Sequence, residues 1–155
     1  MRKIYFGKSG IDGHGFFAKK EIKKGEFVFM MKGTMHKLTT REEIMSNPNM
    51  IGIEKDIWLD PSLISMPINH SCDPNTGIKG KVTFVALRDI KKDEEITFDY
   101  SISEDSEWEM PCNCGAKNCR KVVRGIRYLP KETYKKYLPY IPKYFQSVYN
   151  RCHKI

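Results

Sequence analysis

Long apolar runs are missing from this chain. The longest uninterrupted one is the five residues Phe27 to Met31, against the roughly 20 that a bilayer-spanning helix needs. No apolar stretch follows the basic start MRKIYFGKSGIDG, which argues against a secretory signal. Internal repeats and low-complexity linkers are lacking too, which leaves 155 residues as one domain's worth of chain, able to bury its own core. Cysteine is scarce and odd in number, at five. Without a signal, that fits a reducing compartment better than a disulfide framework. Acidic residues are outnumbered, 19 against 27 Lys and Arg, for a net charge of +8. That balance favours acidic or polyanionic partners without requiring one. With 40% hydrophobic and 30% charged residues, the composition is that of a folded globular chain.

What is there reads as many short strands with little helix until the end. Ile4 to Phe6 predicts an opening strand, and Gly7, Gly10, Gly13 and Gly15 predict tight turning after it. Strands are expected at Phe16 to Ala18, Glu26 to Met31, Gly52 to Leu59, Val82 to Leu87 and Ile96 to Tyr100. Thr40-Arg41-Glu42-Glu43 has the form of a capping box and predicts a short helix over 40–46, ended by Pro48. One helical turn fits between Pro61 and Asn69. In the tail, Pro130, Pro139 and Pro142 suit first helical positions, with helices near 131–137 and 143–151. Tyr144, Phe145, Val148 and Tyr149 fall on one face of the second, which reads as a docking face.

Four segments carry chemistry. In Gly13-His14-Gly15-Phe16-Phe17-Ala18, a glycine-bracketed turn lets a ligand approach backbone amides. It opens no long helix, so a dinucleotide site does not fit. Asn69-His70-Ser71-Cys72-Asp73-Pro74-Asn75 sets an amide, an imidazole and a thiol side by side in a turn-forming loop. In Asp93-Glu94-Glu95-Ile96-Thr97-Phe98-Asp99-Tyr100, read as a strand, Phe98 and Tyr100 share a face. Cys112-x-Cys114-x4-Cys119 reads as metal before disulfide. Three thiolates leave a tetrahedral zinc one ligand short. Cys72 is a good candidate for the fourth, with Cys152 and His153 as rival donors.

GHGFFA, NHSCDPN, DEEITFDY and CNCGAKNCR occur in this order, and together the chain resembles a SET-domain protein lysine methyltransferase with a cysteine-rich post-SET segment. The resemblance covers roughly residues 3–125. It implies a mainly β fold with short helices: a SET-type β-clip of several small sheets with a pseudoknot, a post-SET zinc motif and short C-terminal helices. It implies a catalytic domain over 1–106, a zinc segment over 107–125 and a helical tail over 126–155. The family transfers a methyl group from S-adenosylmethionine to a lysine amine. By resemblance, Gly13, His14 and Gly15 would hold the methionine end of that cofactor. Asn69 and His70 would hold its adenosine, His70 partly by stacking, and Tyr100 would stand at the transfer site. Phe98 would tune product number toward di- or trimethylation. Cys72, Cys112, Cys114 and Cys119 would bind a structural Zn2+. Trp58 and Trp108 are candidates for the wall of the lysine channel, or else packed aromatics.

The expected partner is a protein or peptide with an accessible lysine, a histone tail or another protein. No membrane partner is expected, nucleic acid is compatible with the charge but not required, and a monomer is expected. The expected location is cytoplasmic, nuclear in a eukaryote, or secreted if the chain is a pathogen's effector. Two other readings differ in class. One is a SET-like binding module without catalysis, against which Asn69, His70 and Tyr100 stand together. The other is a small basic zinc-stapled nucleic-acid-binding domain, in which Lys19-Lys20, Lys23-Lys24 and Lys135-Lys136 would be more than solvated turn charges.

Overall fold

Two glycines face each other where the chain first folds back. Ile4–Lys8 (β1) and His14–Ala18 (β2) pair antiparallel with Gly7 opposite Gly15, and Gly13 takes φ 46° in the connecting loop. The computed structural model describes residues 3–46, 49–61 and 68–155.

Two three-stranded antiparallel sheets follow. Phe27–Met30 (β3), Thr76–Lys79 (β8) and Thr83–Ala86 (β9) form one, in the order β3-β9-β8. Gly33–Lys37 (β4), Ile51–Glu54 (β5) and Ile57–Pro61 (β6) form the other, in the order β4-β6-β5. The strand expected over Gly52 to Leu59 is thus a hairpin, turned at Asp56 with φ 58°. Between β4 and β5 lies helix α1 (Arg41–Met45). The Thr40 side chain accepts from the Glu43 backbone, and the Glu43 carboxylate accepts from the Thr40 backbone at 3.0 Å. That is the capping box read from the sequence. Its expected stop at Pro48, and most of the turn expected between Pro61 and Asn69, lie outside the described residues.

Two pairs of very short strands build the site. Asn69–His70 (β7) runs parallel to Thr97–Phe98 (β10), with His70 beside Phe98. Glu109–Pro111 (β11) and Val122–Arg124 (β12) pair antiparallel around the cysteine segment.

The strand expected through Tyr100 stops at Phe98. The Asp99 side chain accepts from the Ser101 amide, and Tyr100–Ser103 turn into a 3-10 helix. Phe98 and Tyr100 therefore do not share a strand face. Their rings still meet at 4.9 Å, tilted by 49°.

The tail forms helices α2 (Lys131–Tyr137) and α3 (Lys143–His153). Pro130 and Pro142 stand one residue earlier than expected, at the N-caps. Proline's fixed φ suits either place, and neither asks it for an amide. Phe145, Val148 and Tyr149 are buried, with Tyr144 partly so, and α3 packs on β5 and on the 3-10 turn Ile126–Tyr128. That is the docking face predicted for it. The main core, with Ile22, Ile53, Phe84, Ile96, Ile102 and Phe145 among its fully buried members, lies between the sheets and this tail.

Candidate active site and metal centre

Asn69 draws two distant loops together. Its side-chain amide lies 3.1 Å from both the Asp12 and His14 carbonyl oxygens, 3.0 Å from Ser9 Oγ and 2.7 Å from Glu95 Oε1. Ser9 Oγ donates to Glu95 and accepts from the Ile11 amide, which fixes the bend before Gly13. Gly15 stands where a Cβ would collide with the Glu95 carboxylate and crowd the Asn69 amide to 3.3 Å. Asn69 thus sits against the Gly13-His14-Gly15 segment and forms one cradle with it. The His14 ring is turned outward, stacked on Phe6 at 4.9 Å.

His70 is buried, with both ring nitrogens committed. Nδ1 accepts from the Tyr100 amide at 3.2 Å, and Nε2 lies 3.3 Å from Cys72 Sγ. A neutral ring accepting at Nδ1 carries its proton on Nε2, so it faces that sulfur as a donor. Burial is the main cause holding the His70 pKa down, to about 4; Arg120 lowers it further, while Asp99 acts in the opposite sense. The ring is 4% exposed, which leaves little free face for the expected stacking.

Tyr100 joins this cradle to a cavity. Its hydroxyl donates to the Ile68 carbonyl at 2.9 Å. Burial, with Asp12 and Glu95 adding to it, pushes its pKa up to about 12. The phenol therefore stays protonated at neutral pH. The cavity, about 300 Å³, is lined by Trp58, Phe98, Tyr100, Trp108, Met31 and Met110, among others. Phe98 is locked by an edge-on contact to Phe84 at 5.2 Å. Both tryptophans face the cavity, and Trp58 is at the same time a core residue.

The β11–β12 hairpin presents the cysteines. The Cys112 amide donates to the Lys121 carbonyl at 2.8 Å, and Gly115, with φ 73°, turns the segment between. The donor atoms of His70, Cys72, Cys112 and Cys114 all lie within 4.8 Å of one another. Cys72 Sγ and Cys112 Sγ are 3.8 Å apart, close to the ~3.8 Å edge of a tetrahedron with zinc–sulfur bonds near 2.3 Å. Amides of Cys72 and Arg120 point at Cys114 Sγ and Cys72 Sγ, each at 3.4 Å. Burial raises the Cys72 and Cys112 thiols. It acts the same way on Cys114, but donors from Cys72, Ala116, Cys112 and Cys119 outweigh it and hold that thiol at about 7. This donor set fits a thiophilic ion. Cys119 lies outside that 4.8 Å set but beside it: its thiol donates to the Cys112 carbonyl at 3.4 Å and it is hydrogen-bonded to the Cys112 and Cys114 thiols. Among the described residues, Cys152 and His153 do not join the group; they lie exposed on α3.

Sequence reasoning missed Ser9, Glu104, Arg120 and Tyr137, and gave no role to Glu95 and Asp99 although both lie in the DEEITFDY segment. Asp99 has no exposure; it receives both Arg120 nitrogens at 2.7 Å and the Tyr137 hydroxyl at 3.0 Å. Glu104 lines the cavity, and burial raises its carboxyl pKa.

Comparison with known proteins points the same way. The SET domain family matches residues 13–101. Human histone-lysine N-methyltransferase 2D is 35% identical over 136 residues, which cover 76% of this chain and 2% of that protein. An H3 lysine-4 specific histone-lysine N-methyltransferase of Cryptococcus neoformans is 30% identical, covering 77% of this chain and 10% of that one. The chain thus spans a small fraction of these relatives. A chain of a humanized Chaetomium thermophilum Polycomb Repressive Complex 2 superposes with TM-score 0.57 at 28% identity, over 66% of this chain and 16% of that one. KRYPTONITE, solved with DNA, an H3 peptide and SAH, shares the fold at TM-score 0.62 and 21% identity, over 78% of this chain and 29% of that one. With GHGFFA, NHSCDPN and DEEITFDY gathered at one site and the match running through all three, the chain belongs to the SET domain family.

Proposed function

We propose that the chain is an S-adenosylmethionine-dependent protein-lysine N-methyltransferase. The observation that carries this reading is Tyr100, which lines an aromatic cavity while its amide is bound to His70, beside the Asn69 cradle. S-adenosylmethionine, when bound, supplies the methyl group. Gly13, His14 and Gly15 would hold its methionine end, and Asn69 and His70 its adenosine.

The chain's own contribution is positioning and desolvation. The nucleophile is a neutral lysine amine, which at pH 7 is roughly one side chain in a few thousand. A wall of Trp58, Phe98, Tyr100 and Trp108 disfavours the ammonium and lowers its pKa. Tyr100, kept protonated, orients the reacting groups and takes no proton. Holding the amine in line is the main source of rate. Phe98 carries no hydroxyl to anchor a water, which leaves room for a methylated amine and favours di- or trimethylation.

Cys72, Cys112, Cys114 and Cys119 would bind one structural Zn2+ with no open position for catalysis, and His70 would donate to the Cys72 thiolate. Residues 1–106 would carry catalysis, 107–125 the zinc segment and 126–155 the supporting tail. The substrate would be a lysine in a protein, for which the relatives' names give histones, and the place of action the cytoplasm or, in a eukaryote, the nucleus. The chain would act as a monomer.

Calorimetric titration of the zinc-replete protein with S-adenosylmethionine, followed by mass spectrometry of histone peptides, tests this. One-to-one binding that Asn69→Ala weakens is expected, with transfer that Tyr100→Phe lowers about 100-fold at retained cofactor binding. Absence of binding at millimolar cofactor by folded protein would overturn the reading.

A further inference from the structure

Helix α2 begins 30 residues beyond the family match, which ends at Ser101, yet its last residue reaches the centre of the site. Tyr137 is 1% exposed. Its hydroxyl donates to Asp99 Oδ2 at 3.0 Å, with the Cys72 carbonyl 3.4 Å away. We propose that Tyr137 is a positioning residue for methyl transfer, acting through Asp99 on the backbone that presents Tyr100. This rests on the methyltransferase reading above.

The Asp99 carboxylate is saturated in a fixed pattern. Oδ2 receives Arg120 Nη1 and Tyr137; Oδ1 receives Arg120 Nη2 and the Ser101 amide. The Ser101 bond starts the 3-10 turn, so the place of the carboxylate sets the path of the residue between them, Tyr100. Tyr100 is also held by its amide hydrogen bond to His70, its hydroxyl bond to the Ile68 carbonyl, the Ser103 hydroxyl that donates to its carbonyl at 3.2 Å, and ring contacts to Phe98 and His70. Without the Tyr137 donor, Oδ2 keeps only Arg120 Nη1, and an under-satisfied buried carboxylate carries a free-energy cost that a rotation of the carboxylate would relieve. Here that rotation would drag the Ser101 amide and the turn with it.

The helix does not depend on this hydroxyl for its seat. Tyr134 stacks on Tyr149 at 3.7 Å, Lys136 pairs with Asp73 at 2.7 Å, and the Ile78 amide donates to the Tyr140 carbonyl at 2.8 Å. Tyr137→Phe keeps the buried ring and removes one donor.

The test uses the full chain with zinc. In Tyr137→Phe, the kcat per cofactor-competent site, with sites counted by calorimetric titration, should fall about tenfold while the KM for peptide stays within twofold. A merely structural role would lower the number of competent sites and leave kcat per site unchanged. Asp99→Asn and the Tyr137→Phe/Asp99→Asn pair close a double-mutant cycle, in which the two losses should be far from additive. Amide hydrogen exchange at residues 99–103 should quicken in Tyr137→Phe, a readout that needs no activity. A kcat per site within twofold of wild type, additive losses, or unchanged exchange protection would each overturn the proposal. If the wild-type chain transfers no methyl group, the methyltransferase reading fails by itself, and the exchange measurement still decides whether Tyr137 holds this turn.

Discussion

Arg120 and Asp99 meet fork to fork, with Nη1 and Nη2 each 2.7 Å from a carboxylate oxygen of a residue that has no exposure. The pair joins the end of the cysteine segment to the turn that carries Tyr100. Burial opposes a charged Arg120, but the Asp99 carboxylate more than offsets this and raises its pKa, so the guanidinium stays charged. Such a pair is weak evidence of net stability, but breaking it from one side strands a buried charge. Arg120→Ala should therefore destabilise the fold by about 3–5 kcal/mol, read from urea denaturation. A loss below about 1 kcal/mol would mean that the pair behaves like a surface one.

The metal centre makes a stoichiometric prediction. The wild-type protein should carry one zinc per chain, and Cys114→Ser should lose it, because three sulfur donors leave one of the four tetrahedral positions unfilled and the ion poorly held. Cys152→Ser, at an exposed cysteine outside the cluster, should keep full zinc. Chelation should lower the melting temperature of wild type and leave that of Cys114→Ser unchanged. One zinc per chain in the Cys114 variant, by metal analysis, would remove that residue from the ligand set.

Phe98 packs between Phe84 and Tyr100 and lines the cavity. Phe98→Tyr adds a hydroxyl that can hold a water where a methyl group would turn. The variant should shift product toward monomethyl-lysine, with wild type giving the di- and trimethyl forms, resolved by mass spectrometry of intact peptide. An unchanged product ratio would mean that another residue of the cavity wall sets the product number.

Local signals were legible and long-range ones were not. The Thr40–Glu43 capping box lies within one turn of chain, and the structure reproduces both of its bonds. The Cys-x-Cys-x4-Cys spacing likewise announced its own cluster. The turn at Asp99 was misread as strand because its β-rich flanks, Ile96 to Tyr100, say nothing of an arginine 21 residues later that holds the carboxylate. The pairing of Ser9 with Glu95 escaped notice for the same reason: they are 86 residues apart and become partners only when β2 meets the segment before β10. The NHSC motif suggests a cofactor role for His70 but says nothing of a second set of partners, the Tyr100 amide at Nδ1 and the Cys72 sulfur at Nε2. That second role appears only once β7 and β10 run parallel.

Glu104 supplies a pH test of the cavity. It lines the same space as Phe98 and Trp108, and burial raises its carboxyl pKa above the usual 4.5 despite the Ser106 amide at 2.7 Å. A group whose folded pKa is raised is not costly below its unfolded pKa, and its ionisation weakens the fold as pH rises through the folded value. Wild type should therefore be less stable at pH 7 than a version with a neutral side chain there. Glu104→Gln keeps an oxygen for the Ser106 amide and cannot ionise. Its melting temperature should exceed that of wild type at pH 7, with a gain of about 2–4 °C for each kcal/mol recovered in a chain of this size. The gap should close as pH falls below about 4.5, where both folded and unfolded carboxyls are protonated. A gap that stays constant with pH would assign the effect to packing, and a variant that melts lower at pH 7 would mean that the charged carboxylate is satisfied in the cavity wall.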